Sequence, residues 1–128
     1  MPWLPYTRVI DRVPRPYLSV WREPGEPYSA LIDSGSDDSS IPLGLASTLG
    51  IRFDPDRPRR IFGAGGYYRE WISDDDMDLN CTLGPLVLKR PALNSAVPFI
   101  ILGRSDAFAA YRFAFDQRAL RFQIEPYS

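Results

Sequence analysis

One stretch of sequence decides the fold of this chain: Leu31-Ile32-Asp33-Ser34-Gly35-Ser36-Asp37-Asp38. It is an apolar strand that runs directly into a carboxylate, a hydroxyl and a glycine, and then into two more acids. A carboxylate at the buried end of an apolar strand is costly unless a partner satisfies it or a reaction uses it. Since Asp, Ser and Gly are also the residues that turns prefer, these eight residues alone leave a plain turn and a functional site equally open.

A second segment of the same form lies in the last third of the chain: Phe99-Ile100-Ile101-Leu102-Gly103-Arg104. It is an apolar strand that ends in glycine, and an arginine follows at the start of a predicted helix. Between the two segments lies the glycine-rich stretch Ile61-Phe62-Gly63-Ala64-Gly65-Gly66. In this order the three motifs resemble those of the retropepsins, the retroviral-type aspartic proteases. The resemblance spans residues 17–110, and the terminal hairpin looks like the end of the small stand-alone bacterial members.

The resemblance implies a role for each position of the first segment. Asp33 matches the catalytic aspartate of the family, and Ser34 matches the hydroxyl that bonds to the same loop of a partner copy. Gly35 matches the residue whose backbone approaches the substrate, and Ser36 completes the active-site loop. Because a hydroxyl that donates to a carboxylate favours its charged form, we predict that Ser36 makes the pH optimum more acidic. The alternative is that Ser36 bonds its own backbone as a turn hydroxyl.

The same resemblance assigns the surrounding positions to substrate binding. Asp37 matches the acid that receives substrate main-chain N–H groups and pairs with Arg104, while Asp38 matches the rim of a subsite. Gly103 and Arg104 would then support the loop from behind. The positions that match pocket-lining residues, and that predict mainly apolar subsites, are Leu31, Ser40, Ile61, Phe99 and Ile101. The positions that match the flap are Gly63, Gly65 and Gly66, with Ala64 at the N–H that holds a water against the substrate.

The composition removes several other kinds of chemistry. Histidine is absent, so a Ser-His-Asp or Cys-His catalytic system is impossible and His-ligated zinc is excluded. The single cysteine, Cys81, cannot build a thiolate metal site or an intrachain disulfide, which favours a reducing compartment. The first twelve residues lack the apolar stretch of a signal peptide. We therefore expect a cytoplasmic protein that needs no cofactor and no metal.

Short apolar runs cut by 13 prolines and 9 glycines predict a mainly β fold rather than a helical bundle. We expect one retropepsin-like domain over residues 1–128, closed and barrel-like, with residues 1–16 as an N-terminal arm. Seven to nine strands are predicted, in the ranges 17–22, 28–33, 59–73, 77–83, 86–90, 99–102, 111–115 and 120–124. Short helices are predicted at 43–49 and 104–110, and the terminal hairpin at 111–125 is the predicted dimer element.

Charge argues against two classes of partner. Fifteen basic and sixteen acidic residues leave a net charge of −1, so we expect neither nucleic acid nor membrane as a partner. The arginines at 57, 59 and 60 are interpreted as a solvated face. The acids at 74, 75, 76 and 78 are interpreted as a solvated turn, since an EF-hand loop that begins at Asp74 would lack its glycine and its last glutamate.

Peptide hydrolysis without histidine or metal needs two carboxylates that share one proton. This chain carries a single Asp-Ser-Gly, so the second aspartate must come from another copy in a twofold homodimer. The sequence therefore predicts an aspartic endopeptidase that hydrolyses peptide bonds in polypeptides. The alternative is a non-catalytic dimerisation or peptide-binding module on the same fold.

Overall fold

Twelve strands in three sheets form the described part of the chain, which is residues 2–63 and 65–127 of the computed structural model. The first six are β1 (Leu4–Pro5), β2 (Tyr17–Val20), β3 (Tyr28–Ile32), β4 (Ser40–Pro42), β5 (Arg59–Gly63) and β6 (Gly66–Ile72). The others are β7 (Met77–Cys81), β8 (Gly84–Leu88), β9 (Ala92–Asn94), β10 (Ile100–Leu102), β11 (Tyr111–Asp116) and β12 (Arg121–Pro126). Two short helical segments are Leu43–Leu45, a 3₁₀ turn, and Arg104–Phe108, whose turns are π-helical.

The largest sheet has seven strands in the order β2-β3-β10-β4-β9-β6-β5. Two of its pairings are parallel: β10 runs alongside β3, and β4 runs alongside β9. The β3–β10 pair brings together the two apolar segments that the sequence singles out, with Ile32 opposite Leu102 at their carboxyl ends. Residues that follow neighbouring parallel strands emerge at the same edge of a sheet, so the loops after β3 and β10 meet there.

The core lies between this sheet and the β7–β8 hairpin. Along β7 the residues alternate between buried and less buried positions, with Met77, Leu79 and Cys81 facing inward. On β8 the buried residues are Leu86 and Leu88. This period of two is the pattern of a strand with one solvated face. The cysteine thus fills a core position as a small apolar residue.

The third sheet joins the two ends of the chain in the order β1-β12-β11. β11 and β12 pair in register over six residues, and β1 adds two residues on the other side of β12. Phe122 is fully buried and Ile124 is nearly so. One face of the hairpin therefore belongs to the core, while its outer face carries ion pairs between Arg112 and Glu125 and between Arg121 and Asp116.

The mainly β prediction is confirmed, together with the hairpins at β2–β3, β5–β6 and β11–β12. Sequence patterns missed β1, β4 and β9, which have two or three residues each. The helix predicted at 43–49 is shorter, since only Leu43–Leu45 is helical and turns follow. Among the described residues, the helices are all too short to cross a membrane.

Candidate active site

Asp33 stands where β3 and β10 end side by side. Its backbone N–H donates to the carbonyl of Leu102 at 3.0 Å, which extends the parallel pairing by one bond. Its side chain is half-buried at the edge of the sheet. The backbone of Asp33 is therefore anchored to the sheet where the loop begins, which is the arrangement that a precisely positioned reactive group needs.

The loop that begins at Asp33 folds back onto its carboxylate. Oδ1 of Asp33 accepts the N–H of Gly35 at 2.9 Å, and the carbonyl of Asp33 accepts the N–H of Ser36 at 3.2 Å. A Cβ at position 35 would lie 3.2 Å from Oδ1 of Asp33, closer than nearly all real contacts. A side chain there would make the carboxylate shift by a few tenths of an ångström, so glycine leaves the Asp33 side chain in place.

The segment after β10, residues 103–105, is joined to this loop by hydrogen bonds. The N–H of Arg104 donates to the carbonyl of Ser36, and the N–H of Ser105 donates to the carbonyl of Asp37, each at 2.9 Å. The N–H of Gly103 donates to the hydroxyl of Ser39 at 3.0 Å, and both groups are buried. These bonds join the two motifs into one unit.

The two acids after the loop are bonded to the same segment. A guanidinium nitrogen of Arg104 donates to Oδ1 of Asp37, which is the predicted pair. The hydroxyl of Ser105 donates to Oδ1 of Asp38 at 3.2 Å. The side chain of Asp37 is 78% exposed in one copy of the chain. The pair is thus a surface ion pair within the single copy, and such pairs contribute little by themselves.

Ser36 does not contact the carboxylate of Asp33. Its hydroxyl donates to the carbonyl of Asp38 at 2.7 Å, so the turn-hydroxyl alternative describes the structure. The hydrogen bond to the Asp33 carboxylate, through which Ser36 is expected to make the pH optimum more acidic, is therefore not formed. A hydroxyl has only one proton to donate, and here the loop backbone receives it.

A cavity of about 300 Å³ separates this loop from the β5–β6 hairpin. Three of the five predicted pocket-lining residues face it, namely Ser40, Ile61 and Ile101. Leu31 and Phe99 do not line this cavity, and Phe99 packs edge-on against Tyr17. The full lining is Ser36, Asp37, Asp38, Ser39, Ser40, Arg59, Ile61, Tyr68, Glu70, Ala92, Asn94, Val97 and Ile101. Because most of these side chains are polar or charged, the expectation of mainly apolar subsites does not hold for this cavity.

Sequence reasoning missed a charged pair in the cavity wall. Glu70 on β6 is buried, at 6% exposure, and lies opposite Arg59 on β5. The guanidinium of Arg59 donates to its carboxylate, which offsets part of the cost of burying a charge. Arg59 is therefore not part of a wholly solvated face. The available signal was the period of two along β6, which turns Tyr68 and Glu70 to the same side.

The tip of the β5–β6 hairpin is formed by glycines. Gly63 pairs with Gly66 at the end of the ladder, and Gly66 has a φ of 103°, a conformation that side chains rarely adopt. Gly65 lies in the turn between them. Ala64, which the resemblance matches to a substrate-facing N–H, lies outside the described residues. Among the residues that are described, no cluster of acidic or cysteine side chains could hold a metal ion.

Two solved structures share this arrangement of strands. A retropepsin-like aspartic protease from Rickettsia conorii is 18% identical, with a TM-score of 0.59 over 98% of this chain and 99% of that one. EIAV protease, solved in complex with the inhibitor HBY-793, is 21% identical, with a TM-score of 0.54 over 77% of this chain and 89% of that one. No family model and no curated protein matches the sequence. From its β3 and β10 loops to its terminal hairpin, the chain has the fold of the retropepsin-like aspartic proteases.

Proposed function

We propose that this protein is an aspartic endopeptidase that works as a homodimer. The observation that carries the proposal is the fixed position of Asp33 at the junction of β3 and β10. The loop that carries this residue also supplies Ser36, Asp37 and Asp38 to the wall of a cavity. The fold shared with two proteases and the exact run Asp33-Ser34-Gly35 support the same reaction.

The chemistry follows from two carboxylates and a water molecule. Two like charges about 3 Å apart cannot both ionise, so a pair of Asp33 side chains, one from each copy, would share one proton. The ionised Asp33 removes a proton from water, and the protonated one donates a hydrogen bond to the scissile carbonyl.

The substrate fits this site as an extended peptide. The β5–β6 hairpin would act as a flap over the cavity, and a peptide between hairpin and loop can bond along its backbone like an added strand. Ile61 and Ile101 offer apolar contact to one side chain of that peptide, while Asp38 and the Arg59–Glu70 pair face it from the polar side. We therefore expect the cavity to accept a side chain with both an apolar stem and a polar end.

The proposal is tested with Asp33→Asn and the matched control Asp78→Asn. Asp78 is an exposed carboxylate on β7 without an ion pair among the described residues. The substrate is a denatured, dye-labelled protein, and the oligomeric state is measured by analytical ultracentrifugation. Asp33→Asn should lower kcat/KM by at least about a hundredfold with the dimer retained, whereas Asp78→Asn should leave both unchanged.

Two results would contradict the proposal. If the wild-type protein cleaves nothing while it forms a dimer, the chain is a dimerisation or peptide-binding module. If Asp33→Asn cleaves as fast as the wild type, the activity belongs to another site or to a contaminant.

A further inference from the structure

The β5–β6 hairpin has a second face, which points away from the cavity. Alternate residues of the hairpin line the cavity, and the four between them form what we call the outer face: Arg60, Phe62, Tyr67 and Arg69. Phe62 is 73% exposed and Tyr67 is 63% exposed. Large aromatic side chains at this level of exposure, placed next to each other, mark surfaces that contact other molecules.

The two positive charges on the outer face are placed where their repulsion destabilises the hairpin. Arg60 and Arg69 lie directly opposite each other in the β5–β6 register. Like charges at directly opposed positions of a strand pair destabilise it. Neither arginine makes an ion pair with any described residue, although Arg57 and Arg59 nearby each have an acidic partner. The hairpin thus carries two arginines at directly opposed positions, and no described acid compensates either charge.

The aromatic residues position one of these arginines. The guanidinium of Arg60 lies over the ring of Tyr67, 3.9 Å from its centroid, and Tyr67 packs edge-on against Phe62. A stacked guanidinium keeps its N–H edges free for a carboxylate. A shallow depression of about 340 Å³ is lined by Arg60, Tyr67 and Arg69 of this face, together with Pro58, Arg59 and Tyr68. The outer face therefore combines ordered hydrogen-bond donors, positive charge and apolar surface in one place.

We propose that the outer face is a binding site for an acidic polypeptide segment that also carries an aromatic or aliphatic side chain. Its carboxylates would lie between Arg60 and Arg69 and relieve their repulsion, and its apolar side chain would cover Phe62. Nucleic acid fits less well, because the face of Tyr67 on which a base would stack already holds Arg60. The four side chains of the outer face alternate along the hairpin with the ones that line the cavity, while Arg59 and Tyr68 border both the cavity and the depression.

Binding can be measured without any proteolysis. The probe is a dye-labelled Glu-Glu-Phe-Glu-Glu peptide, followed by fluorescence anisotropy on the Asp33→Asn protein so that no cleavage interferes. The double variant Arg60→Ala/Arg69→Ala should weaken binding about tenfold, as expected for the loss of two exposed ion pairs. The matched control is Arg12→Ala/Arg118→Ala, which removes two exposed arginines that also lack ion pairs among the described residues. It should bind like the parent protein.

A second variant separates binding from folding. Arg69→Glu places an acid opposite Arg60 and should raise Tm while it abolishes peptide binding, because the new pair replaces the bound carboxylate. The peptide Gln-Gln-Phe-Gln-Gln should bind at least about tenfold more weakly than the acidic one.

Three outcomes would overturn the proposal. One is the absence of binding by the parent protein at millimolar peptide, and another is an equal loss in both double variants. The third is a single-stranded oligonucleotide that binds more tightly than the peptide and depends on Arg60 and Arg69, which would assign the face to nucleic acid instead.

Discussion

Gly103 is the residue at which the two motifs touch most closely. A Cβ built on it would lie 2.3 Å from the carbonyl oxygen of Asp38 and 3.0 Å from its nitrogen. The obstacle is backbone rather than a flexible side chain, so neither partner can move without displacing the loop. The backbone of Gly103 is extended, with a φ of −96°, and it is therefore space rather than conformation that requires glycine here.

Gly103→Ala should therefore destabilise the fold by about 3 kcal/mol, the upper range for overpacking of a closed site. Urea unfolding followed by tryptophan fluorescence measures the change. Gly44→Ala is the matched control, because a Cβ there meets nothing within 4 Å, and its effect should stay within about 1 kcal/mol. Equal effects of the two variants would show that the close approach at Gly103 relaxes freely.

Ser36→Ala tests the hydrogen bond that the Ser36 hydroxyl makes within the loop. The lost bond from its hydroxyl to the carbonyl of Asp38 should lower stability by about 0.5–1 kcal/mol. Since the hydroxyl does not touch the carboxylate of Asp33, the pH profile of kcat/KM should keep its position. The measurement is a thermal melt together with kcat/KM against pH on one peptide. A profile that moves toward neutral pH with unchanged stability would restore the original interpretation of Ser36.

At the scale of single residues, sequence patterns could identify the proposed catalytic residue, Asp33, but not the surroundings of each side chain. Asp33 and Arg104 belong to runs of residues whose order along the chain carries the information. The partner of the Ser36 hydroxyl depends on the path of the loop after Asp33, which many sequences of turn-forming residues allow. Glu70 reaches the cavity only because β6 pairs with β9, which lies far along the chain.

Among the elements, the terminal hairpin carries a pH-dependent contact. The N–H of Ala119 and then the guanidinium of Arg121 hold the pKa of Asp116 below its usual value of 3.8. A lowered folded pKa means that the folded chain binds fewer protons than the unfolded chain, so stability rises with pH across this window. The contribution is present above pH 3.8 and is lost as the pH falls through the folded pKa of Asp116.

Asp116→Asn should remove this part of the pH dependence. Thermal melts from neutral pH to below 3.8 should show a shallower fall in Tm for the variant than for the wild type. Asp78→Asn, on an exposed position of β7, should follow the wild-type curve. If Asp116→Asn shows the full acid-induced fall, the contact with Ala119 and Arg121 contributes nothing in solution.

The elements that patterns predicted are those with strong local signals. β7 alternates strictly, and the two arms of the terminal hairpin carry alternating aromatic or aliphatic residues. β4 and β9 have three residues each and form because they pair with each other and with remote strands. Three residues cannot show a period, so such strands are defined by tertiary pairing rather than by their own sequence.

At the scale of the whole molecule, the proposed homodimer needs a β-strand edge with which a second copy can pair. The terminal hairpin at 111–125 is the predicted dimer element, but its second strand, β12, already has β1 on one side and β11 on the other. The two edge strands of this sheet are β1, with two residues, and β11, with six, so β11 offers the longer edge to a second copy. A deletion of residues 119–128 would be a poor test of the interface. It removes Phe122, which is fully buried, so any loss of activity would reflect unfolding rather than a lost interface.

The side chains of β11 suit an antiparallel pairing with themselves. If Ala114 meets the partner's Ala114 on the twofold axis, Arg112 lies opposite the partner's Asp116, and Phe113 lies opposite the partner's Phe115. Opposite charges and aromatic pairs at facing positions both stabilise a strand pair. Phe115 is 41% exposed within one copy, so it has surface left to bury. Both of these pairings are favourable, and a register shifted by one residue would lose them.

This register makes position 114 the place to test the dimer. Ala114→Lys and Ala114→Glu each put two like charges on the twofold axis, so each variant alone should dimerise at least about tenfold more weakly and lose activity upon dilution. An equal mixture of the two pairs lysine with glutamate and should recover both dimer and activity. The control pair is Ser47→Lys and Ser47→Glu, at an exposed position outside the terminal sheet. Analytical ultracentrifugation and cleavage assays over a dilution series measure both properties.

Because unfolded variants could not rescue each other, recovery in the mixture separates an interface from a folding defect. Wild-type dimerisation by both single variants would mean that the copies meet elsewhere.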